Sequence, residues 1–156
     1  MARVKVGNKI PAFSGEATGG ATIKAKDLAG QKCVLYFYPR DDTPGCTLES
    51  KDFRDLHTKF RRRKVRVIGI SRDTLRSHER FKDKYGFPFE LIADPDETIC
   101  NLFGVMKDKN MYGKKVRGIE RSTFLVDEKG VLLKEWRKVK VEGHAQEVLD
   151  SLKEFA

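Results

Sequence analysis

One α/β domain, residues 1–156, with a central mixed β-sheet flanked by helices is the fold class that the sequence predicts. Three observations predict it. Cys33-Val-Leu-Tyr-Phe-Tyr38 is apolar throughout, a short β-branched and aromatic run of the kind that forms a strand buried on both faces. Val65-Arg-Val-Ile-Gly-Ile70 reads as a second such strand. Between them Glu49, Phe53, Leu56 and Phe60 recur at helical spacing with charged residues elsewhere, which describes one amphipathic helix. Strand, helix and strand make a βαβ unit with a right-handed crossover.

The remaining elements follow in order. Ahead of Cys33, short β-prone pieces on either side of Gly19-Gly20 form an N-terminal hairpin. A second helix runs from Thr74 to Tyr85 and is stopped by Gly86 and Pro88, and Phe89-Glu-Leu-Ile92 is a short strand. In Asp94-Pro95-Asp96-Glu97, Asp94 suits a cap and Pro95 the first turn of a helix that carries Cys100 and ends near Gly104. The basic stretch containing Gly113 and Gly118 reads as a loop. Ser122-Thr-Phe-Leu-Val126 and Val131-Leu-Leu-Lys-Glu135, joined through Asp127-Glu-Lys-Gly130, read as a hairpin. Ala145, Val148, Leu149 and Leu152 mark a closing helix. This order is that of a thioredoxin-like fold.

Composition bounds the function. A chain of 156 residues can bury roughly two thirds of its unfolded surface, so its core needs no disulfide or metal. Apolar residues make up 39% and charged residues 35%, with 10 Phe, too aromatic for a disordered chain. No apolar run approaches the ~20 residues that span a bilayer. The basic segment Met1 to Phe13 lacks the apolar stretch of a secretory signal, so a cytoplasmic location without membrane contact is expected. The net charge of +9 includes a cluster from Lys59 to Arg66. Such a cluster is read first as a solvated face that keeps the protein soluble, and against a nucleic-acid role the chain lacks the aromatic platform motifs of RNA readers.

Cys33, Cys46 and Cys100 form no C-x-x-C pair and no zinc-ligand spacing, so neither a disulfide framework nor a structural metal is expected. His57, His78 and His144 have no acid or nucleophile motif around them and are expected to be structural or solvated. The informative stretch is Tyr38-Pro-Arg-Asp-Asp-Thr-Pro-Gly-Cys-Thr-Leu-Glu49. Thr43 suits a helix N-cap and Pro44 the first helical residue, which puts Cys46 in the first turn, where free N–H groups and the helix dipole favour a thiolate. The junction lies at the carboxyl edge of the sheet, where open α/β folds bind ligands. By position alone, Cys46 is either a nucleophile or a half-buried structural cysteine.

Pro39-x-x-x-Thr43-x-x-Cys46 resembles the active-site signature of peroxiredoxins, and the longer Tyr-Phe-Tyr-Pro-x-x-x-Thr-Pro-Gly-Cys-Thr-x-Glu form is similar to the bacterioferritin comigratory protein, or PrxQ, subfamily. The resemblance extends through Val6 to Phe13, Val67 to Ser71 and Arg121 to Asp127. It implies thiol-dependent reduction of hydrogen peroxide and organic hydroperoxides without metal, flavin or haem. It further implies Cys46 as the peroxidatic nucleophile, Arg121 as the cation stabilising thiolate and leaving oxygen, Thr43 as a peroxide-binding hydroxyl and Pro39 as a shield. Glu49, one turn after Cys46, would orient Arg121.

The chain departs from that pattern at the resolving cysteine. The position five residues after Cys46 is Lys51, and the Thr74 to Tyr85 helix holds no cysteine. Cys33 is expected to be inert core, and Cys100 is the remaining candidate for a resolving role. A one-cysteine cycle is therefore expected, with an external thiol as reductant (thioredoxin, glutaredoxin with glutathione, or a small thiol), and the resemblance implies a monomer as the acting unit. The other readings are a basic nucleic-acid-binding domain, and a thiol-disulfide oxidoreductase or chaperone-like domain without peroxidase turnover.

Overall fold

A computed structural model describes residues 4–155; the first three residues of the basic N-terminal segment lie outside that range. The chain runs β1 (Ser14–Ala17), β2 (Ala21–Lys24), β3 (Lys32–Phe37), α1 (Pro44–Asp55), α2 (His57–Arg62), β4 (Val65–Ser71), α3 (Leu75–Tyr85), β5 (Glu90–Ala93), α4 (Thr98–Leu102), β6 (Met106–Met111), β7 (Lys114–Ile119), β8 (Ser122–Val126), β9 (Leu132–Trp136) and α5 (His144–Ser151). Seven strands form one sheet in the order β2-β1-β5-β4-β3-β8-β9. Its centre is parallel, with β3 pairing β4 and β4 pairing β5, while β1 and β8 join antiparallel.

The side chains of β3 alternate between two cores. Val34, Tyr36 and Tyr38 pack with Cys46, Phe53, Phe60, Phe81 and Val148, contributed by α1, α2, α3 and α5. Cys33, Leu35 and Phe37 pack on the other face with Ile99, Cys100 and Phe103, from α4 and its end. From Cys33 onward every side chain of this strand is buried because both faces are covered. Gly69 in β4 makes room for this packing, since a Cβ there would lie 2.8 Å from the Tyr36 ring.

Three expectations are corrected. The single helix after the first strand is two, because Leu56 (φ −95°, ψ 0°) leaves the helical path and its N–H is shared between the Arg54 and Asp52 carbonyls. The expected loop around Gly113 and Gly118 is a two-stranded ribbon, β6–β7, paired from Met106↔Ile119 to Met111↔Lys114. Tyr112 and Gly113 turn it with φ of 53° and 79°, as a tight two-residue hairpin requires. The third concerns α4, where Pro95 precedes the helix instead of opening it. Asp94 still caps from outside, its carboxylate accepting from the N–H groups of Ile99 at 3.0 Å and Cys100 at 2.7 Å. The N-terminal hairpin, the α3 helix with its Thr74 cap and Gly86 stop, and the β8–β9 hairpin form as expected.

Candidate active site

Strand β3 delivers the chain through Tyr38 to Thr43 into the first turn of α1, and there Cys46 sits 1% exposed. Arg121, at the entry to β8 next to β3, donates through Nη2 to Cys46 Sγ at 3.3 Å and through Nη1 to Glu49 Oε1 at 2.6 Å. Glu49 lies one turn along α1, so one guanidinium spans the two α1 residues. Gly45 permits this approach, since a Cβ on it would meet Arg121 Nη2 at 3.3 Å. The segment after β9 holds the arginine from behind, with Val139 N–H donating to the Arg121 carbonyl at 3.0 Å.

The electrostatics are set by burial. Desolvation pushes the Glu49 carboxyl up to about 7, only partly countered by Arg121. Its second oxygen, Oε2, has no protein partner among the described residues. Arg121 responds in the opposite sense. Burial works against its charge, but the adjacent Glu49 and Cys46 outweigh burial and hold it up. With its side chain 15% exposed against 0% for Glu49, the guanidinium keeps its charge and the carboxyl is the member that titrates.

A second buried network fixes the loop just ahead of the thiol. Asp41 accepts from Tyr38 Oη at 2.6 Å and from Ser77 Oγ at 2.8 Å, and lies 2.7 Å from His78 Nδ1. His78 Nε2 is 2.9 Å from the Ile92 carbonyl, which can only accept. Both ring nitrogens are thus tied into the network, and Tyr38 Oη also lies 3.4 Å from Nδ1. Asp41, Asp73 and His78 are close enough to ligate a metal, their ligand atoms lying within 4.8 Å of one another. These atoms are already committed, however, since Asp73 accepts from the Asp41 N–H at 2.9 Å and both His78 nitrogens are bonded. A cation would have to displace those bonds.

The AhpC/TSA family model matches residues 6–134. Peroxiredoxin Bcp of Xanthomonas campestris is 50% identical over 139 residues, covering 89% of this chain and 87% of that protein. Peroxiredoxin Bcp of Bacillus subtilis is 45% identical over 153 residues, 98% of each chain. The crystal structure of a cysteine-to-serine mutant of Xylella fastidiosa PrxQ superposes with a TM-score of 0.93 at 39% identity over 99% of both chains. The chain belongs to the AhpC/TSA family, in the Bcp/PrxQ branch of the peroxiredoxins.

In this peroxiredoxin, Arg121 is in direct contact with both Cys46 and Glu49, and the other residues singled out from sequence are not all so placed. Thr43 stands at the N-cap position of α1, but the expected side-chain cap is missing: its hydroxyl donates to the Arg40 carbonyl at 2.9 Å, and only its own carbonyl joins the helix, through Thr47 N–H. Pro39 is half-buried in the loop leaving β3. Cys33 and Cys100 are buried in the core on the far face of the sheet from Cys46. Burial pushes the Cys33 thiol up to about 12 and drives Cys100 up as well, the latter helped by Asp94. His78 and His144 are buried and hydrogen-bonded and His57 is half-buried, the structural roles expected of them. Sequence reasoning missed Asp41, whose partners Ser77 and His78 lie 36 and 37 residues away. It also missed Gly45 and the Val139 support, whose importance appears only once Arg121 is in place.

Proposed function

We propose that this thiol-dependent peroxidase reduces hydrogen peroxide and organic hydroperoxides with Cys46 as its nucleophile. The observation that carries the reading is the guanidinium of Arg121, held by Glu49 and by the Val139 backbone bond, 3.3 Å from the sulfur. The Cys46 thiolate attacks one peroxide oxygen in line. The O–O bond breaks, two electrons pass from sulfur to peroxide, and the leaving alkoxide or hydroxide takes a proton from solvent, leaving sulfenic acid on Cys46. Arg121 supplies a permanent charge and fixed donors beside both the thiolate and the oxygen on which charge develops. Thr43 Oγ1, whose proton is spent on the Arg40 carbonyl, retains lone pairs to accept from the peroxide O–H. Pro39 offers no N–H and stiffens the loop against water entry.

An external thiol closes the cycle. It attacks the sulfenic sulfur, releasing water and forming a mixed disulfide, and a second thiol then regenerates Cys46. The position of Cys33 and Cys100 across the sheet supports this one-cysteine cycle, because a disulfide needs Cα atoms within ~7 Å. Thioredoxin, glutaredoxin with glutathione, or a small thiol can act in this role, and a protein thiol requires the first turn of α1 to open around the buried sulfur. The chain acts as one domain, as a monomer, without cofactor and in the cytoplasm. No helix of the described residues is long and apolar enough to cross a membrane. The test is hydrogen peroxide consumption with dithiothreitol as sole reductant. Wild type and Cys100→Ser turn over and Cys46→Ser does not. Loss of turnover in a folded Cys100→Ser overturns the one-cysteine cycle, and turnover in Cys46→Ser overturns the assignment of the nucleophile.

A further inference from the structure

The peroxidase site uses the carboxyl edge of the parallel strands. At the opposite edge, where α2 ends and β4 begins, the structure gathers charge that the reaction leaves unused. Lys59, Arg61, Arg62, Arg63 and Lys64 are all exposed, and Arg66 is half-buried beside them. None of these six makes an ion pair with a carboxylate among the described residues. Nearby acids are engaged elsewhere, Asp55 with Arg54 and Glu128 with Lys32. Arg61, Lys64 and Arg66 line an open groove of about 480 Å³ together with Gly30, Gln31, His57 and Val65, a lining without a carboxylate. Compensating the negative end of the short α2 helix needs one or two cations, not this many.

We infer that this edge is a docking surface for the phosphate backbone of duplex nucleic acid, bound without sequence preference. Four of the six cations are arginines, whose planar forks suit phosphate oxygens. An anionic membrane fits less well, because binding in the lipid interface draws on inserted apolar side chains. The exposed large hydrophobics, Val6, Leu48, Tyr112 and Val116, all lie outside the 59–66 segment, while Phe60 and Val65 within it are buried. Phe60, the one Phe, Tyr or Trp in this segment, is buried and His57 is only half-exposed, so backbone contacts are favoured over base stacking. Strands β3 and β4 run in register from Lys32↔Val65 to Phe37↔Ile70. At ~3.3 Å per residue, the surface thus lies about 17 Å from the end of β3 that feeds the Cys46 loop. A peroxidase held this way keeps its thiol open to peroxide while docked, protecting the polymer it sits on.

Fluorescence anisotropy with a labelled random-sequence 20-base-pair DNA duplex tests the inference. With about four phosphates engaged, the slope of log K against log salt is about −3.6, so affinity falls about 150-fold between 50 and 200 mM salt. Arg61→Gln/Arg62→Gln/Lys64→Gln should abolish most of that dependence and weaken binding at least tenfold at 50 mM salt, and Arg62→Gln/Lys64→Gln should show a smaller loss in the same direction. A control, Lys107→Gln/Lys114→Gln/Lys115→Gln on the β6–β7 ribbon, removes the same charge and should leave binding within twofold. Peroxide turnover should be unchanged in all three. No duplex binding at 50 mM salt, an equal loss in the ribbon control, or tighter binding to vesicles of anionic phospholipid than to duplex would each overturn the inference.

Discussion

Replacing Glu49 by Gln removes the one buried titratable carboxyl in contact with Arg121 and preserves its shape. In the folded protein burial holds Glu49 at about 7, against an ordinary value of 4.5. The folded value is raised, so the group's contribution to stability is fully present below pH 4.5 and is lost as pH rises towards and through 7. The gap of about 2.5 units, at ~1.4 kcal/mol per unit, amounts to about 3 kcal/mol of stability lost by pH 8. Glu49→Gln cannot ionise and should not show this loss. Urea unfolding from pH 4 to pH 8 measures the difference directly. Relative to Glu49→Gln, wild type should lose about 3 kcal/mol across that range, with most of the change between pH 4.5 and 7. The amide keeps a carbonyl for Arg121 Nη1, so the guanidinium stays in place and peroxide turnover at pH 7 should remain within about tenfold of wild type. Parallel stability curves for the two proteins, or a wild type that gains stability relative to Glu49→Gln as pH rises, would refute the reasoning and show a Glu49 held ionised by Arg121.

Arg121→Ala should slow the peroxide step by about 10²–10³, the usual effect of removing a preorganised donor from developing charge; stopped-flow oxidation of Cys46 by hydrogen peroxide reads it, and a loss below tenfold would count against the arginine. Cys33→Ser should leave turnover within twofold in the dithiothreitol assay, because the thiol lies in the far core. His78→Ala leaves the buried Asp41 carboxylate and the Ile92 carbonyl each short of a hydrogen-bond partner and should cost at least about 2 kcal/mol in urea unfolding; a cost below about 0.5 kcal/mol would show that these bonds do not hold the loop. Gly69→Ala should destabilise by at least about 2 kcal/mol by the same measure, since its methyl group would collide with the Tyr36 ring.

The parts of this molecule legible in sequence are those written in local pattern. The continuous apolar runs of β3 and β4 reveal strands covered on both faces, and Thr43-Pro44 followed by Cys46 places the sulfur in a first helical turn. Arg121 and Glu49 entered through the family resemblance, because no local pattern says that residues 72 apart meet at 2.6 Å. The β6–β7 ribbon was hidden because its outer residues, Lys109, Asn110, Lys114 and Lys115, are exposed. A strand with no buried face has no period-two alternation to read. The Asp41–His78 pair was hidden for a different reason. Its partners sit on a loop and a helix that come together only when α3 packs on the sheet, and His78 looks like any polar helix residue until its surroundings are known. The basic edge illustrates the same limit, since sequence gives the charge and only the fold shows that it is unpartnered and remote from the thiol.

The most direct test of the central claim is to treat the reduced protein with one equivalent of hydrogen peroxide in the presence of dimedone and map the product by peptide mass spectrometry. The account predicts a single sulfenic adduct on Cys46, with Cys33 and Cys100 still reduced. A Cys46–Cys100 disulfide, or an adduct on either far-face cysteine with Cys46 unmodified, would contradict it.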